Sequence, residues 1–239
     1  MTVAPDAYFD ATTSVISGAI TSRGFGVYVD RSVVGEDVRG RAASDSSSFT
    51  YVYQSTVDGQ VDVRAGEVLV DSSNVAGPVR GRGTTWVDVK NSTLLSELLV
   101  RGNAEGVTVC ASEVDGDATF TGNAGVQIGQ GDLLSSCDDG VNYFGGNVTA
   151  ANNTVGVIVS GNIVRGNLTG SGNDPAPLAT ENRVRGEISG QFAEVGAEPQ
   201  ARARMMAVPS DRTEEARQLI QERRASAMDQ ATAAGPALL

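Results

Sequence analysis

Asn162-Ile-Val-Arg-Gly-Asn-Leu-Thr-Gly170 is restated twenty positions later as Asn182-Arg-Val-Arg-Gly-Glu-Ile-Ser-Gly190. The shared frame is Ser or Asn, any residue, an apolar residue, any residue, usually Gly, any residue and a second apolar residue. Nine copies of this frame have their central positions at Gly18, Glu36, Gly59, Gly77, Ser96, Gly116, Gly146, Gly166 and Gly186. A period near twenty residues that is sustained over all these copies predicts a solenoid, in which each repeat stacks on the next.

The apolar residues within a copy alternate with other residues, as at Val57, Val61 and Val63. This two-residue period is that of a strand with one buried face. Most copies then carry a second short apolar run, such as Gly66 to Val70, and two strands with their turns leave no room for a helix. The sequence therefore predicts an all-β fold, a right-handed parallel β-helix of about nine turns over residues 8–192, with the hand that parallel crossovers favour.

Two columns of residues recur through the copies. The central glycine, as at Gly59, is expected to face inward at a narrow corner of the coil that leaves no room for a side chain. The Ser or Asn that opens each copy, such as Ser55, is expected at a turn. There, stacked side chains can bond one another in a ladder or hold turn amides. Both columns therefore predict a structural role, not a binding role.

The repeat pattern ends at Phe192, and the rest of the chain has a different composition. Residues 193–209 contain mostly Ala, Glu, Arg and Pro and are predicted to be a linker. Residues 210–230 are predicted to form a C-terminal α-helical tail, and residues 231–239 a disordered end. The chain is thus expected to consist of one elongated domain and an appendage.

The helix prediction rests on the capping-box spacing of Asp211 and Glu214, which follow a proline. The helix has a narrow apolar stripe that includes Leu219 and Ile220. Such a stripe is suited either to covering the open last turn of the coil or to pairing with a partner helix. The sequence leaves both alternatives open.

The composition excludes several classes of function. The chain has no histidine and a formal net charge of -11. Without histidine, Ser-His and Cys-His nucleophile pairs are impossible, and no phosphate-binding or dinucleotide-binding motif is present, so no cofactor is predicted. The acidity argues against binding of nucleic acid or of anionic membrane surfaces. No apolar run is long enough to predict a membrane span. Thr108, Thr119, Thr149 and Thr169 are not expected to align into one column, which argues against an ice-binding array.

The two cysteines, Cys110 and Cys137, lie in neighbouring repeats. A disulfide between them is geometrically allowed, but the spacing equally allows two reduced thiols, and it predicts no zinc site or other metal site. The first seven residues lack the features of a signal peptide. If Met1 is the native start, the protein is expected in the cytoplasm; if a leader has been removed, it is expected outside the cell or on its surface.

The longest insertion between repeats is the loop from Gly129 to Gly140, which carries Asp132, Asp138 and Asp139. Long loops on a rigid coil are where function is commonly placed. Two carboxylates there could act as acid and as nucleophile or base on a glycosidic bond. This loop is therefore the weaker, catalytic alternative, with a polysaccharide as ligand or substrate.

The segment from Val157 to Gln191, with Gly166-Asn-Leu-Thr-Gly-Ser-Gly-Asn-Asp-Pro-Ala-Pro177 at its centre, resembles the closing repeats of small right-handed β-helix proteins from actinobacteria. Those proteins are typically exported. They carry Cys where this chain has Gly170 and Phe192, so the disulfide that the resemblance implies is missing here. The repeats from Val57 to Phe120 are also similar to those of bactofilins, cytoskeletal β-helical proteins whose coils stack end to end through open terminal turns.

The combination of nine repeats and no catalytic set of residues predicts a non-enzymatic structural or scaffold protein. We expect it to associate with itself or with another protein, because terminal turns have unpaired backbone edges. The candidate association residues are Ile16 and Ile20 in the first repeat and Leu219 and Ile220 in the tail. The alternative is a carbohydrate-binding or polysaccharide-cleaving β-helix that uses the acidic loop.

Overall fold

The computed structural model describes residues 1–5, 7–42, 48–137, 140–193 and 212–234. The chain divides into two compact units, Met1–Pro209 and Ser210–Leu239. The first unit is a solenoid of about nine turns built from three parallel sheets, and the second contains one α-helix. The prediction of a nine-turn parallel solenoid followed by a helix is therefore confirmed.

Each turn of the coil contributes one strand to each of three sheets, which we call A, B and C. Within the described residues, sheet A consists of β1 (Thr2–Val3), β4 (Ile20–Ser22), β7 (Val38–Gly40), β10 (Val61–Arg64), β13 (Val79–Arg82), β16 (Leu98–Arg101), β19 (Ala118–Thr121), β22 (Val148–Ala151), β25 (Leu168–Ser171) and β28 (Ile188–Gly190). Sheet B consists of β2 (Tyr8–Thr12), β5 (Gly26–Asp30), β8 (Phe49–Tyr53), β11 (Glu67–Asp71), β14 (Trp86–Lys90), β17 (Gly106–Cys110), β20 (Gly125–Gly129), β23 (Gly156–Ser160) and β26 (Leu178–Thr180). Sheet C consists of β3 (Val15–Ile16), β6 (Val33–Val34), β9 (Thr56–Val57), β12 (Asn74–Val75), β15 (Thr93–Leu94), β18 (Glu113–Val114), β21 (Tyr143–Phe144), β24 (Ile163–Val164) and β27 (Arg183–Val184).

A continuous row of apolar side chains runs along the inner side of sheet C. Val57, Val75, Leu94 and Val114 are consecutive members of this row, because the strand register pairs each with the next. All four are fully buried, as are their counterparts in sheets A and B. The branched aliphatic side chains thus stack on one another at the strand spacing of about 4.8 Å. The predicted common aliphatic interior is present.

The repeat frame was predicted to be one strand, but in the structure it contains two. Each turn therefore has three strands instead of the predicted two. The central glycine lies in the bend between sheet C and sheet A, not within an inward-facing strand. A Cβ added to Gly77 would lie 2.8 Å from the backbone nitrogen of Gln60, and one added to Gly116 would lie 2.8 Å from that of Glu97. At Gly77 and Gly116 the backbone of the preceding turn, and not the core, therefore occupies the space of a side chain, although Glu36 and Ser96 hold the same position in two other turns.

The Ser and Asn residues that open the repeats form the expected ladder, at the corner between sheets B and C. The amide of Ser55 donates to Oγ of Ser73 at 3.1 Å, and the amide of Ser73 donates to Oγ of Ser92 at 3.1 Å. Oγ of Ser73 in turn donates to the carbonyl of Asp71, across the left-handed corner residue Ser72 (φ 52°). In later turns Asn replaces Ser, so that Asn142 Nδ2 donates to Asn162 Oδ1 at 2.9 Å.

A second ladder, whose four asparagines are buried, lies at the corner between sheets A and B and was not predicted from the sequence. Its members are Asn103, Asn123, Asn153, Asn173 and, at the last turn, Gln191. Each backbone amide from Asn103 to Asn173 donates to the side-chain oxygen of the next member at 2.8–3.1 Å. The spacing of these residues follows the spacing of the first ladder, so the signal was present in the sequence.

The C-terminal helix, α1, runs from Arg212 to Ala234. It therefore extends beyond the predicted end at residue 230. Ile220 is buried and Leu219 is partly exposed. Within the described ranges, no helix combines the length and the hydropathy that crossing a membrane requires. Only Ala193 of the predicted linker belongs to the described residues. The last five residues of the predicted disordered end, 235–239, also lie outside them.

Candidate binding surfaces

The long loop after β20 folds back and is held by one buried glutamine. The side chain of Gln127, which is fully buried, donates to the carbonyls of Gly131 and Ser135 at 2.8 and 2.7 Å. Its Oε1 accepts from the amides of Leu134 and Ser135 at 2.7 and 3.2 Å. A single amide side chain thus satisfies four backbone groups, which fixes the conformation of the loop.

The two cysteines form a disulfide that closes this loop onto sheet B. Cys110 and Cys137 are joined across 27 residues. Cys110 follows Lys90 in the register of adjacent strands. The close approach of Gly140 requires a glycine, since a Cβ there would lie 2.0 Å from Sγ of Cys137. Of the two alternatives that the sequence left open, a disulfide and two reduced thiols, the structure contains the disulfide.

Removal of the disulfide by the double substitution Cys110→Ala and Cys137→Ala is expected to lower the free energy of unfolding by about 3 kcal/mol, because the bridge restricts a loop of moderate length in the unfolded chain. Urea denaturation of the variant and of the oxidised wild type measures the difference. If the entropy of the unfolded chain is responsible, adding a reductant to the wild type reproduces the loss and leaves the double variant unchanged. An equal effect of reductant on both proteins would contradict the explanation.

Lys90, the single lysine of the chain, is held beneath this loop. Its Nζ donates to Oγ of Ser135 at 2.9 Å and lies 3.8 Å from Oδ2 of the fully buried Asp88. A buried Lys-Ser contact can form a nucleophilic pair, but Ser135 is only 2% exposed and a substrate cannot reach it. We therefore interpret this cluster as an anchor of the loop.

The structure describes only part of the acidic site that was predicted on the loop. Asp132 is exposed, whereas Asp138 and Asp139 lie outside the described residues. A shallow depression of about 300 Å³ beside the loop has Gln130, Val141, Glu181 and Arg183 in its lining, and its lining contains one carboxylate. Within the described part of the chain, no three Cys, Asp or Glu side chains are grouped closely enough to hold a metal ion.

The scaffold hypothesis expects association through the two ends of the solenoid. Ile16 and Val184 are the first and last members of the inner row of sheet C, and both are only partly buried. Ile20 is fully buried between neighbouring strands, so it does not reach the end surface. The exposed apolar residue at the far end of its row is Ile188, which is 43% exposed and was not identified from the sequence.

The last turn is filled from inside by Phe192. Its ring lies where a side chain at position 170 would extend, since a Cβ added to Gly170 would lie 2.8 Å from Cδ2 of Phe192. Phe192 is 4% exposed and belongs to the main core. The two positions at which the resemblance implied a disulfide are thus in contact, and an aromatic ring fills the space between them.

Comparison of the chain with protein-family models, with curated proteins and with solved structures found no match in any of the three. What the protein does must therefore be inferred from the geometry of its own residues.

Proposed function

We propose that the protein is a non-enzymatic scaffold whose copies join head to tail through the terminal turns of the solenoid. The observation that carries this proposal is the state of the inner row of sheet C. Its members from Val34 to Val164 are fully buried, while its two end members, Ile16 and Val184, are only partly buried. A second copy that continued the row would bury both end members.

The parallel direction of the strands makes the two ends complementary. The strands β1, β2 and β3 at one end and β28, β26 and β27 at the other each pair with one neighbour among the described strands. Because all pairings are parallel, the first turn of one copy can follow the last turn of another with the same strand direction. An interface between two different surfaces of the same chain is heterologous and produces an open filament. Edge strands without such a partner are a recognised cause of association.

The test uses one charged substitution at each end, Ile16→Lys and Val184→Lys. Wild-type protein should show a mass by sedimentation velocity that rises with concentration. Each variant alone should be monomeric, because every contact would include one blocked end. An equimolar mixture of the two variants should form dimers and nothing larger, since only one intact pair of ends remains for each two chains.

Val15→Lys is the matched control, because Val15 lies beside Ile16 but is 81% exposed on the outer side of sheet C. This variant should assemble like the wild type. A wild type that stays monomeric at all concentrations and salt conditions would refute the proposal. So would variants that assemble alone, or a mixture that forms no dimer.

The polysaccharide-cleaving alternative has less support from the geometry. Catalysis by two carboxylates on the long loop would require Asp138 or Asp139, and the described part of the loop contributes Asp132 alone. The loop is fixed by Gln127 and by the disulfide, which accounts for its form without a ligand.

A further inference from the structure

The outer side of sheet A carries a concentration of positive charge on an acidic chain. Six of the seventeen arginines of the chain lie there, and we call them the arginine face: Arg39, Arg41, Arg64, Arg80, Arg82 and Arg101. The strand register stacks Arg64, Arg82 and Arg101 in one column and places Arg80 next to Asp62 in the adjoining column. The net charge of the chain is -11, so this grouping is not a consequence of a basic composition.

One carboxylate of the chain already shows how this face holds an anion. Asp62 accepts from Arg41 Nη2 at 2.5 Å through Oδ2, and from Arg82 through Oδ1. Burial raises the pKa of the Asp62 carboxyl, but hydrogen bonds from Arg82 and Arg41, with their positive charges, outweigh burial and hold that pKa below its ordinary value of 3.8. A carboxylate thus bridges two guanidinium groups and remains ionised there.

The remaining arginines are not neutralised to the same degree. Arg80 pairs with Glu97 and Arg39 pairs with Asp37. Arg64 and Arg101 are exposed and have no ion-pair partner among the residues that the structure describes. Like charges on neighbouring strands destabilise a sheet. Arg64 and Arg101 therefore carry charges that no carboxylate of the described residues offsets, which leaves them available to a ligand.

A column of hydroxyl groups continues the same surface. The register pairs Thr119 with Thr149, Thr149 with Thr169, and Thr169 with Ser189. Of the four threonines that were expected not to align, Thr119, Thr149 and Thr169 do share this column, whereas Thr108 lies in β17 of sheet B. From Arg64 to Ser189 the combined surface extends over roughly 30 Å at the spacing of parallel strands. Its length suits a linear polymer better than a small anion.

We propose that the arginine face and the hydroxyl column bind a linear, carboxylate-bearing polysaccharide that lies along the solenoid. Arg41 and Arg82, which are two turns apart, together hold the carboxylate of Asp62. Arg64 and Arg101 are also two turns apart, and they hold a carboxylate of the polymer in the same way. The hydroxyl column donates to and accepts from the hydroxyl groups of the sugar rings. This function goes beyond head-to-tail association, and its two exposed arginines, Arg64 and Arg101, lie in β10 and β16, away from the terminal strands.

The same surface is poorly suited to a single-stranded nucleic acid. Binding of bases without sequence preference uses aromatic platforms, and the described outward positions of the central columns of sheet A contain none.

The test measures binding of polygalacturonate to the full chain by isothermal titration calorimetry at low and at moderate salt. The double variant Arg64→Gln with Arg101→Gln should bind at least tenfold more weakly, since charge-assisted hydrogen bonds to a carboxylate are among the strong ones. The control variant, Arg165→Gln with Arg185→Gln, makes the same change of net charge at two exposed arginines elsewhere. Its affinity should stay within about twofold of the wild type, because surface charges at a distance are screened.

Dextran, dextran sulfate and single-stranded DNA identify the chemistry that is recognised. We expect no binding of dextran and weaker binding of the sulfated and phosphorylated polymers than of polygalacturonate. The midpoint of thermal unfolding of the Arg64 and Arg101 double variant should not fall, because a stacked repulsion has been removed. The proposal is overturned by absence of polygalacturonate binding, by equal losses in the two double variants, or by tighter binding of DNA or dextran sulfate.

Discussion

Phe144→Ala is expected to lower the free energy of unfolding by about 3–5 kcal/mol, the range for removal of a large aromatic side chain from a core. Phe144 is fully buried in the inner row of sheet C, between Val114 and Val164 in the strand register. Neighbouring turns cannot move together to close the resulting cavity, since their backbones are held at a fixed spacing by the strand pairing. Urea denaturation followed by far-ultraviolet circular dichroism measures the loss.

Tyr143→Ala provides the control, because Tyr143 is the adjacent residue of the same strand and faces outward. Its hydroxyl accepts from Arg165 Nη1 at 3.2 Å at the surface of the protein. Loss of this contact should change the free energy of unfolding by less than about 1 kcal/mol. Equal losses in the two variants would mean that inner and outer sides of sheet C contribute alike, which the buried row does not allow.

The sequence predicted the inner row of sheet C because its signal is local and repeated. The positions of Val57 and Val75 follow from alternation within a copy and from the spacing between copies, and both properties depend only on backbone geometry. The ladder of Ser55 and Ser73 was predicted for the same reason. The bend at Gly77 was not, since an apolar residue on each side of a bend gives the same alternation as one continuous strand.

The arginine face shows why binding surfaces were harder to predict. Arg64, Arg82 and Arg101 lie five residues after the central positions of their repeats, so the frame places them in one column, but it does not show which of them form ion pairs. Which arginines form ion pairs depends on the carboxylates that neighbouring turns bring within reach: Asp62 pairs with Arg41 and Arg82, although it belongs to the same turn as Arg64. Thr119, Thr149 and Thr169 each lie three residues after a central glycine of the frame, so their common column could have been predicted from the repeat positions.

The second ladder provides the other large effect, since Asn153→Ala should lower the free energy of unfolding by about 3–6 kcal/mol. Oδ1 of Asn153 accepts from the amide of Asn123 at 2.9 Å, and its Nδ2 donates to the carbonyl of Phe120 at 3.2 Å and to Oδ1 of Asn173 at 2.8 Å. Alanine would remove this partner from the amide and Nδ2 of Asn123 and from the carbonyl of Phe120 in a fully buried site, while Oδ1 of Asn173 keeps the backbone amide of residue 153. Each unsatisfied buried group costs about 1–3 kcal/mol.

Asn147→Ala tests how much of the loss in free energy of unfolding is due to burial and how much to the hydrogen bond itself. Oδ1 of Asn147 accepts from the amide of Asn167 at 2.9 Å in a similar ladder, but this ladder lies at the surface. Water can replace the lost acceptor there, so the expected loss is about 1 kcal/mol or less. Replacement of Asn by Ala should therefore lower the free energy of unfolding several-fold more in the buried ladder than in the ladder at the surface. If both variants lose equally little, water must reach the corner between sheets A and B, and the buried ladder would not be what holds that corner together.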